Sequence, residues 1–267
     1  MKITIVTVSF NEERNISRTI ESVLTQTSSD FEYIICDGKS TDRTVEIAET
    51  YREAFKQKNV NYIVNSEKDK GIYDGMNKGI DLANGKYIYF LNAGDWFYAD
   101  DIVEKIISAA DANDYPDVIY GNVVGVEREV LTVFSSSDAN LESSMICHQA
   151  LFSLTSLMKE RKFDLNYKIA ADYKFVLGLK VDGKRFMGVD LIIAYFSCDG
   201  ISSVDIKGRY AEHTAVQVSY GISTNKKDIN KRIVKESIAQ KVKNKLPRKL
   251  WLFWSIRIKK KTLLEKF

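Results

Sequence analysis

YIYFLNAGDWF, Tyr87 to Phe97, is the stretch that decides the fold. A five-residue apolar run breaks off into Asn92, Ala93, Gly94 and a lone Asp95, and two large aromatics follow at once. A short continuous apolar run bounded by turn residues predicts a buried strand, with Asn92 to Asp95 just past its carboxyl end. Open α/β sheets bind their ligands at such ends.

Upstream, strand and helix periods alternate. Ile3 to Ser9 reads as a first strand, and Asn15 to Thr25 puts Ile16, Ile20, Val23 and Leu24 on one helical face. Phe31 to Cys36 is a second strand, followed by a helix over Thr44 to Phe55 whose start is marked by Ser40, Thr41 and Asp42. Asn61 to Val64 is a third strand, and Ile72, Met76 and Ile80 line a third helix that stops at Asn84-Gly85. With Tyr87 to Leu91 as strand four, the order βαβαβαβ predicts an α/β fold: a mostly parallel central sheet with helices on both faces. Beyond Asp100 the pattern loosens. It suggests a helix near Ile102 to Ala110, β-like runs at Val118 to Val126, Val130 to Phe134 and Phe186 to Phe196, and a helix around Ala170 to Leu179.

The 267 residues are 45% hydrophobic with only two prolines, which suits one sizeable α/β unit with a large shared core. Three widely spaced cysteines with no CxxC pair argue against a disulfide framework and for a reducing compartment. The N-terminus lacks a cleavage site and the length of a spanning helix, and reads as a strand. The net charge of +3 hides an asymmetry: residues 226–267 carry +12 and residues 1–225 carry −9. The tail also holds LWLFWSIRIKKK, where aromatics alternate with basic side chains. A basic amphipathic helical tail with interfacial aromatics suits an anionic membrane surface; the alternative is a solvated helix packing its aromatics on the body. The acidic body and the lack of any recognised motif argue for no nucleic acid partner.

Neither GxGxxG nor a P-loop follows the first strand, where the chain reads SFNEERN. The second strand instead ends at Asp37 before a turn, placed to accept hydrogen bonds from a base or ribose. Asp95 lies on the same rim, where a carboxylate could hold a divalent cation bridging a diphosphate, Mn2+ or Mg2+ by their preference for oxygen.

Five motifs in order, SFNEE at 9–13, DGKSTDRT at 37–44, EKDKGIYDGMNKGI at 67–80, ANGKYIYFLNAGDWF at 83–97 and CHQALF at 147–152, resemble the inverting family 2 glycosyltransferases of GT-A fold. The closest likeness is to the bacterial branch that builds capsule, exopolysaccharide and lipopolysaccharide. The likeness is dense over residues 1–100 and sparser to about residue 205. It implies transfer of a sugar from a nucleoside diphosphate sugar, usually a UDP-sugar, to a hydroxyl with inversion. On this likeness residues 1–110 form the donor half, 111–225 the acceptor half and 226–267 the membrane-associated tail.

The resemblance assigns roles residue by residue. Ser9, Phe10, Asn11, Glu12, Asp37, Asp69, Tyr73, Asp74, Asn77, Asn92, Ala93 and Gly94 would line the donor pocket, with Phe10 stacking on the base. The family's Asp-x-Asp signature falls on Asn92 and Gly94, a departure that leaves Asp95 as the carboxylate for metal. Asp172, in KIAADYKFVLGL, takes the general base's place, with Asp164 and Asp182 as rivals; His148 and Gln149, in a β-like run, would meet acceptor or phosphate, or His148 would join the metal. His213 matches no motif and reads as surface or core. The DGISS run at 199–203 resembles a late loop that closes over the diphosphate. Together with the tail, the likeness implies a lipid-linked saccharide acceptor and a cytoplasmic protein peripheral on the inner membrane face. Two rivals are a nucleotidyltransferase, which needs an Arg-containing Gly-rich loop that SFNEERN does not supply, and a catalytically silent nucleotide- or saccharide-binding module.

Overall fold

The computed structural model describes residues 2–127, 130–141, 145–198, 200, 204–245 and 247. The LWLFWSIRIKKK run and, but for Gly200, the DGISS run lie outside the described residues.

Strands β1 (Ile3–Ser9), β2 (Phe31–Asp37), β3 (Asn61–Ser66) and β4 (Tyr87–Phe90) stand in the order β3-β2-β1-β4, all parallel. Every residue of β1, β2 and β4 is buried, as strands covered on both faces require. Side chains alternate between two cores with the strand period of two. Ile3, Ile5, Tyr33, Ile35, Tyr87 and Tyr89 face α1 (Ile16–Leu24), α2 (Thr44–Glu49), α3 (Arg52–Gln57) and α5 (Ile102–Ala112). Val6, Val8, Ile34, Cys36, Ile88 and Phe90 face α4 (Ile72–Leu82), α6 (Thr155–Arg161) and α7 (Ala171–Val181).

The helix expected over Thr44 to Phe55 is two, because amide bonds at Thr50 and Tyr51 tighten to the i−3 carbonyls of Ile47 and Ala48 and turn the chain. Helix α4 approaches β1 closely because Gly75 and Gly79 sit one turn apart. A Cβ on either would lie 2.7 or 2.5 Å from a methyl of Val8 or Val6.

Past β4 the sheet becomes mixed, which corrects the simple parallel picture. Strands β5 (Trp96–Phe97), β6 (Val118–Glu127), β7 (Val130–Phe134), β8 (Leu151–Leu154) and β9 (Phe186–Ser197) complete the order β3-β2-β1-β4-β8-β6-β9-β5, with β7 beside β6. Four of the eight described pairings are parallel and four antiparallel. Six strands still share one direction; β5, β7 and β8 run against them. Strand β5 follows β4 almost at once in the chain yet pairs with β9 at the far edge, so the sheet curls back on itself and brings β9 over the loop after β4. Hydrophobic period cannot encode this, because a buried strand has the same pattern whichever way its neighbour runs. Helices α8 (Ile206–Ser219) and α9 (Lys226–Lys245) follow, α8 packing on α7 and α9 on α8. Cys36, Cys147 and Cys198 are free thiols.

Candidate active site

The carboxyl ends of β1, β2 and β3 bring Ser9, Asp37 and Ser66 side by side. Parallel register sets Ser9 opposite Asp37 and Asp37 opposite Ser66. The Asp37 carboxylate is buried and accepts from Ser9 Oγ at 3.3 Å, Ser66 Oγ at 2.7 Å, the Ser40 amide at 2.9 Å and Ser40 Oγ. With four donors already in place, it shapes the rim more than it waits for a ligand. The loops after β1 and β2 are laced together: Asn11 N donates to Ser40 Oγ, Glu12 N to Thr44 Oγ1 and Glu13 N to Asp42 Oδ2, at 2.7 to 3.1 Å. Asn11 holds a φ of +55°, a left-handed conformation Asn tolerates, and its Oδ1 accepts from the Thr41 amide. Phe10 is left 59% exposed on this ordered rim.

The residues expected before the third helix divide. Asp69 accepts from the Gly71 amide and lies against Gly38, where a Cβ would meet Asp69 Oδ2 at 2.6 Å. Asp74 accepts from the Lys70 amide, tying the loop to the first turn of α4. Tyr73 and Asn77, expected to line the donor pocket, are buried on the inner face of α4. Asn77 clamps the Phe163 backbone, donating to its carbonyl at 2.9 Å and accepting from its amide at 2.8 Å. The Tyr73 hydroxyl lies 2.8 Å from the Ile169 carbonyl and 2.9 Å from Asp172 Oδ1. Burial, then the charge of Asp172, raises the Tyr73 phenol above its ordinary range, so it remains a donor.

The opening stretch forms the centre. Leu91 and Ala93 keep bonding to β1 through Val6 and Val8 carbonyls, then Gly94 turns the chain at φ +95°. Thr19 from α1 fastens this turn, accepting from Gly94 N at 3.0 Å and donating to the Asp95 carbonyl at 2.7 Å. Asp95 is 6% exposed; its carboxylate accepts from Gln149 Nε2 at 3.1 Å and from the Ser197 amide of β9 at 3.3 Å. Burial pushes this carboxyl up to about 6, against the lowering effects of Gln149, His148 and the Ser197 amide. His148 and Gln149, expected in a β-like run, sit in a single 3-10 turn, His148–Ala150, that leads into β8.

That turn places the His148 ring between the loop after β4 and the first turn of α7. Asn92 Nδ2 lies 2.9 Å from Nε2, and Nδ1 lies 3.2 Å from Asp172 Oδ2. Asp172 stands in the first turn of α7, 4% exposed, and its Oδ1 also accepts from the Tyr173 amide. Asn92 Oδ1 is buried without a hydrogen-bond partner among the described residues, an acceptor that a ligand hydroxyl could satisfy. The start of α7 is itself capped from afar. Glu212 on α8 accepts from the amides of Lys168, Ile169 and Ala170 at 2.8 to 3.0 Å. Glu212 was not legible as a site-positioning residue, since it has no local motif and lies some forty residues from the amides it holds. His213 beside it stacks on Tyr173 with ring centroids 4.3 Å apart, and burial lowers its pKa. Asp164 and Asp182, the rival carboxylates, are tied to Lys174 and Arg161 instead.

Among the described residues no three His, Cys, Asp or Glu side chains converge on one point. Of the side chains at the end of β4, the Asp95 carboxylate is the one whose chemistry would suit a hard divalent cation, and the other ligands would have to come from outside the protein. The cost of ionising that buried carboxylate is what a cation would offset.

The family model described as Glycosyl transferase family 2 matches residues 4–173. A PGL/p-HBAD biosynthesis glycosyltransferase of Mycobacterium bovis (strain BCG / Pasteur 1173P2) is 28% identical over 210 residues, covering 76% of this chain and 80% of the relative. The structure of S. aureus TarS 1-349 in complex with UDP-GlcNAc superposes with a TM-score of 0.67 at 17% identity, over 93% of this chain and 77% of that one. The mannosyltransferase PcManGT from Pyrobaculum calidifontis, in complex with GDP-Man and Mn2+, gives 0.63 at 16%, over 88% and 68%. At these identities the structural likeness speaks to the fold alone, an α/β GT-A-like architecture with a curled mixed sheet and helices.

Proposed function

This chain belongs to glycosyl transferase family 2, and from that premise we propose that it moves a hexose from a UDP-sugar to a hydroxyl of a lipid-linked saccharide, inverting the anomeric carbon, in bacterial surface-polysaccharide synthesis. Nucleotide-sugar-dependent glycosyl transfer follows from the family. The observation that carries the proposed transfer is the convergence of Asn92, Asp95, His148, Gln149 and Asp172 at the carboxyl end of β4. UDP-GlcNAc in the TarS complex and GDP-Man with Mn2+ in that of PcManGT support a nucleotide-sugar donor and a divalent cation.

In this reading Phe10 stacks on the base while the laced loops holding Asp37 frame the nucleotide. Asn92 Oδ1 accepts from a ribose hydroxyl. Asp95 would be the residue that holds Mn2+ or Mg2+, and such a cation would supply electrostatic stabilisation to the departing diphosphate. Asp172, in the first turn of α7, supplies the buried negative charge on which removal of the acceptor's proton depends.

The basic tail is the basis for placing the protein on the inner face of the cytoplasmic membrane. Helix α9 carries eight Lys or Arg against two Asp or Glu, and Val234, Ile238 and Val242 are exposed at four-residue spacing along it. That stripe beside lysines suits an anionic lipid surface. No helix among the described residues is long and apolar enough to cross a membrane.

The test is thermal unfolding with UDP, GDP and dTDP, each with and without Mn2+, followed by incubation with the matching sugar nucleotides. A ligand at about a hundred times its Kd should stabilise the fold by about 2.7 kcal/mol. The reading expects UDP to stabilise only with metal, Asp95→Asn to abolish that effect, and sugar released from a UDP-hexose to appear first as the inverted anomer by proton NMR. Binding without turnover would favour the silent-module alternative; no shift with any nucleotide would remove the donor site from β4.

A further inference from the structure

Asp172 is poorly placed to touch a bulky acceptor. It is 4% exposed, Tyr73 and the Tyr173 amide occupy Oδ1, and the His148 ring covers Oδ2. The His148 side chain is the more open of the two, 17% exposed against 6% for that of Asp172. Donor and acceptor roles in this row are constrained. A carboxylate only accepts, so Nδ1 carries the ring hydrogen; in the neutral ring Nε2 is then bare, as the facing Asn92 amide nitrogen requires. A bare Nε2 whose tautomer is set by a buried carboxylate is the arrangement that makes a histidine a proton acceptor for a hydroxyl.

We propose that the acceptor hydroxyl gives its proton to Nε2 of His148, with Asp172 as the positioning residue that fixes the ring, and with the Asn92 amide occupying Nε2 until a donor nucleotide draws it away. The inference rests on the glycosyl-transfer reading. Asn92 is suited to that release, because its Oδ1 is buried without a hydrogen-bond partner among the described residues, so a ligand hydroxyl offers it one. In the step itself the acceptor O–H bond breaks and its proton passes to Nε2. The acceptor oxygen bonds the anomeric carbon, and the bond from that carbon to the diphosphate breaks, its electron pair leaving with the nucleotide. Asp172 stabilises the imidazolium formed, which then returns its proton to solvent.

The chain has only two histidines, His148 and His213, so nitrogen NMR on histidine-labelled protein resolves both rings, and His148→Gln assigns them. Nδ1 of His148 should be protonated and Nε2 bare, and Nε2 should shift when a UDP-hexose and the diamagnetic Mg2+ are added. A proton on Nε2 overturns the proposal. In turnover, His148→Gln should lower kcat by about 10²- to 10⁴-fold while the donor KM stays within about threefold. Imidazole should restore part of the rate to His148→Gly but none to Asp172→Asn. A His148→Gln kcat within about tenfold of wild type, or a loss confined to KM, overturns the role of His148 while leaving glycosyl transfer standing. Wild-type protein that transfers sugar from no donor removes both readings.

Discussion

Asp95→Asn, followed against pH, tests whether the carboxylate closing the β4 loop is as buried in its chemistry as in its geometry. Burial lifts this group from 3.8 to about 6, so between those values the native chain holds a proton that the unfolded chain has released. The stability it contributes is therefore complete below the unfolded value and lost as pH rises through about 6. Linkage turns the two pKa values into about 2 kcal/mol between about pH 4.5 and about pH 7.5. Urea unfolding of wild type and variant in parallel at both pH values isolates the effect. The mismatch an Asn amide makes against the Gln149 and Ser197 donors does not titrate, so it cancels in the difference between the two conditions. Any advantage of wild type over variant should shrink by about 2 kcal/mol toward the higher pH, or its deficit grow by that amount. A gap that is flat within about 0.5 kcal/mol, or that moves the opposite way, refutes the buried-carboxylate account.

Three further outcomes are expected. Phe10→Ala should leave urea stability within about 0.5 kcal/mol, since the ring is 59% exposed, yet weaken UDP binding by calorimetry about tenfold or more through the lost base stack. Gly79→Ala should destabilise by about 1–2 kcal/mol in the same unfolding assay: the added methyl meets Val6 at 2.5 Å, a clash that outweighs the ~1 kcal/mol helix-propensity gain. Glu212→Ala should strip three amides at the start of α7 of their acceptor and cost about 1–3 kcal/mol. Its kcat should fall more than its donor KM, because the helix it loosens carries Asp172 and not the nucleotide rim.

The first ninety residues were legible because burial there follows local periods. A strand covered on both faces is apolar throughout, and a helix on a sheet shows an apolar face every third or fourth residue. Even the Gly94 turn was visible, since φ of +95° favours the one residue without a Cβ. The mixed half was less legible: β5, β7 and β8 look like the other strands, and only pairing tells their direction. Tyr73 and Asn77 were expected to meet a ligand because they belong to a motif, yet both lie on the inner face of α4, where Phe163 and Asp172 claim their hydrogen bonds.

By itself, then, the amino-acid order determined the α/β alternation, the rim of polar residues at the strand ends and the singular position of Asp95. Those features depend on neighbours within a few residues, which a linear pattern records. Tertiary structure alone decided what each polar group touches: Asp95 finds Ser197 across 102 residues, Tyr73 finds Asp172 across 99, and His148 bridges Asn92 and Asp172 across 56 and 24. A buried polar group must find a partner, and the partner it finds is set by how the sheet curls and which helix covers it, a matter of three-dimensional packing that no local period carries.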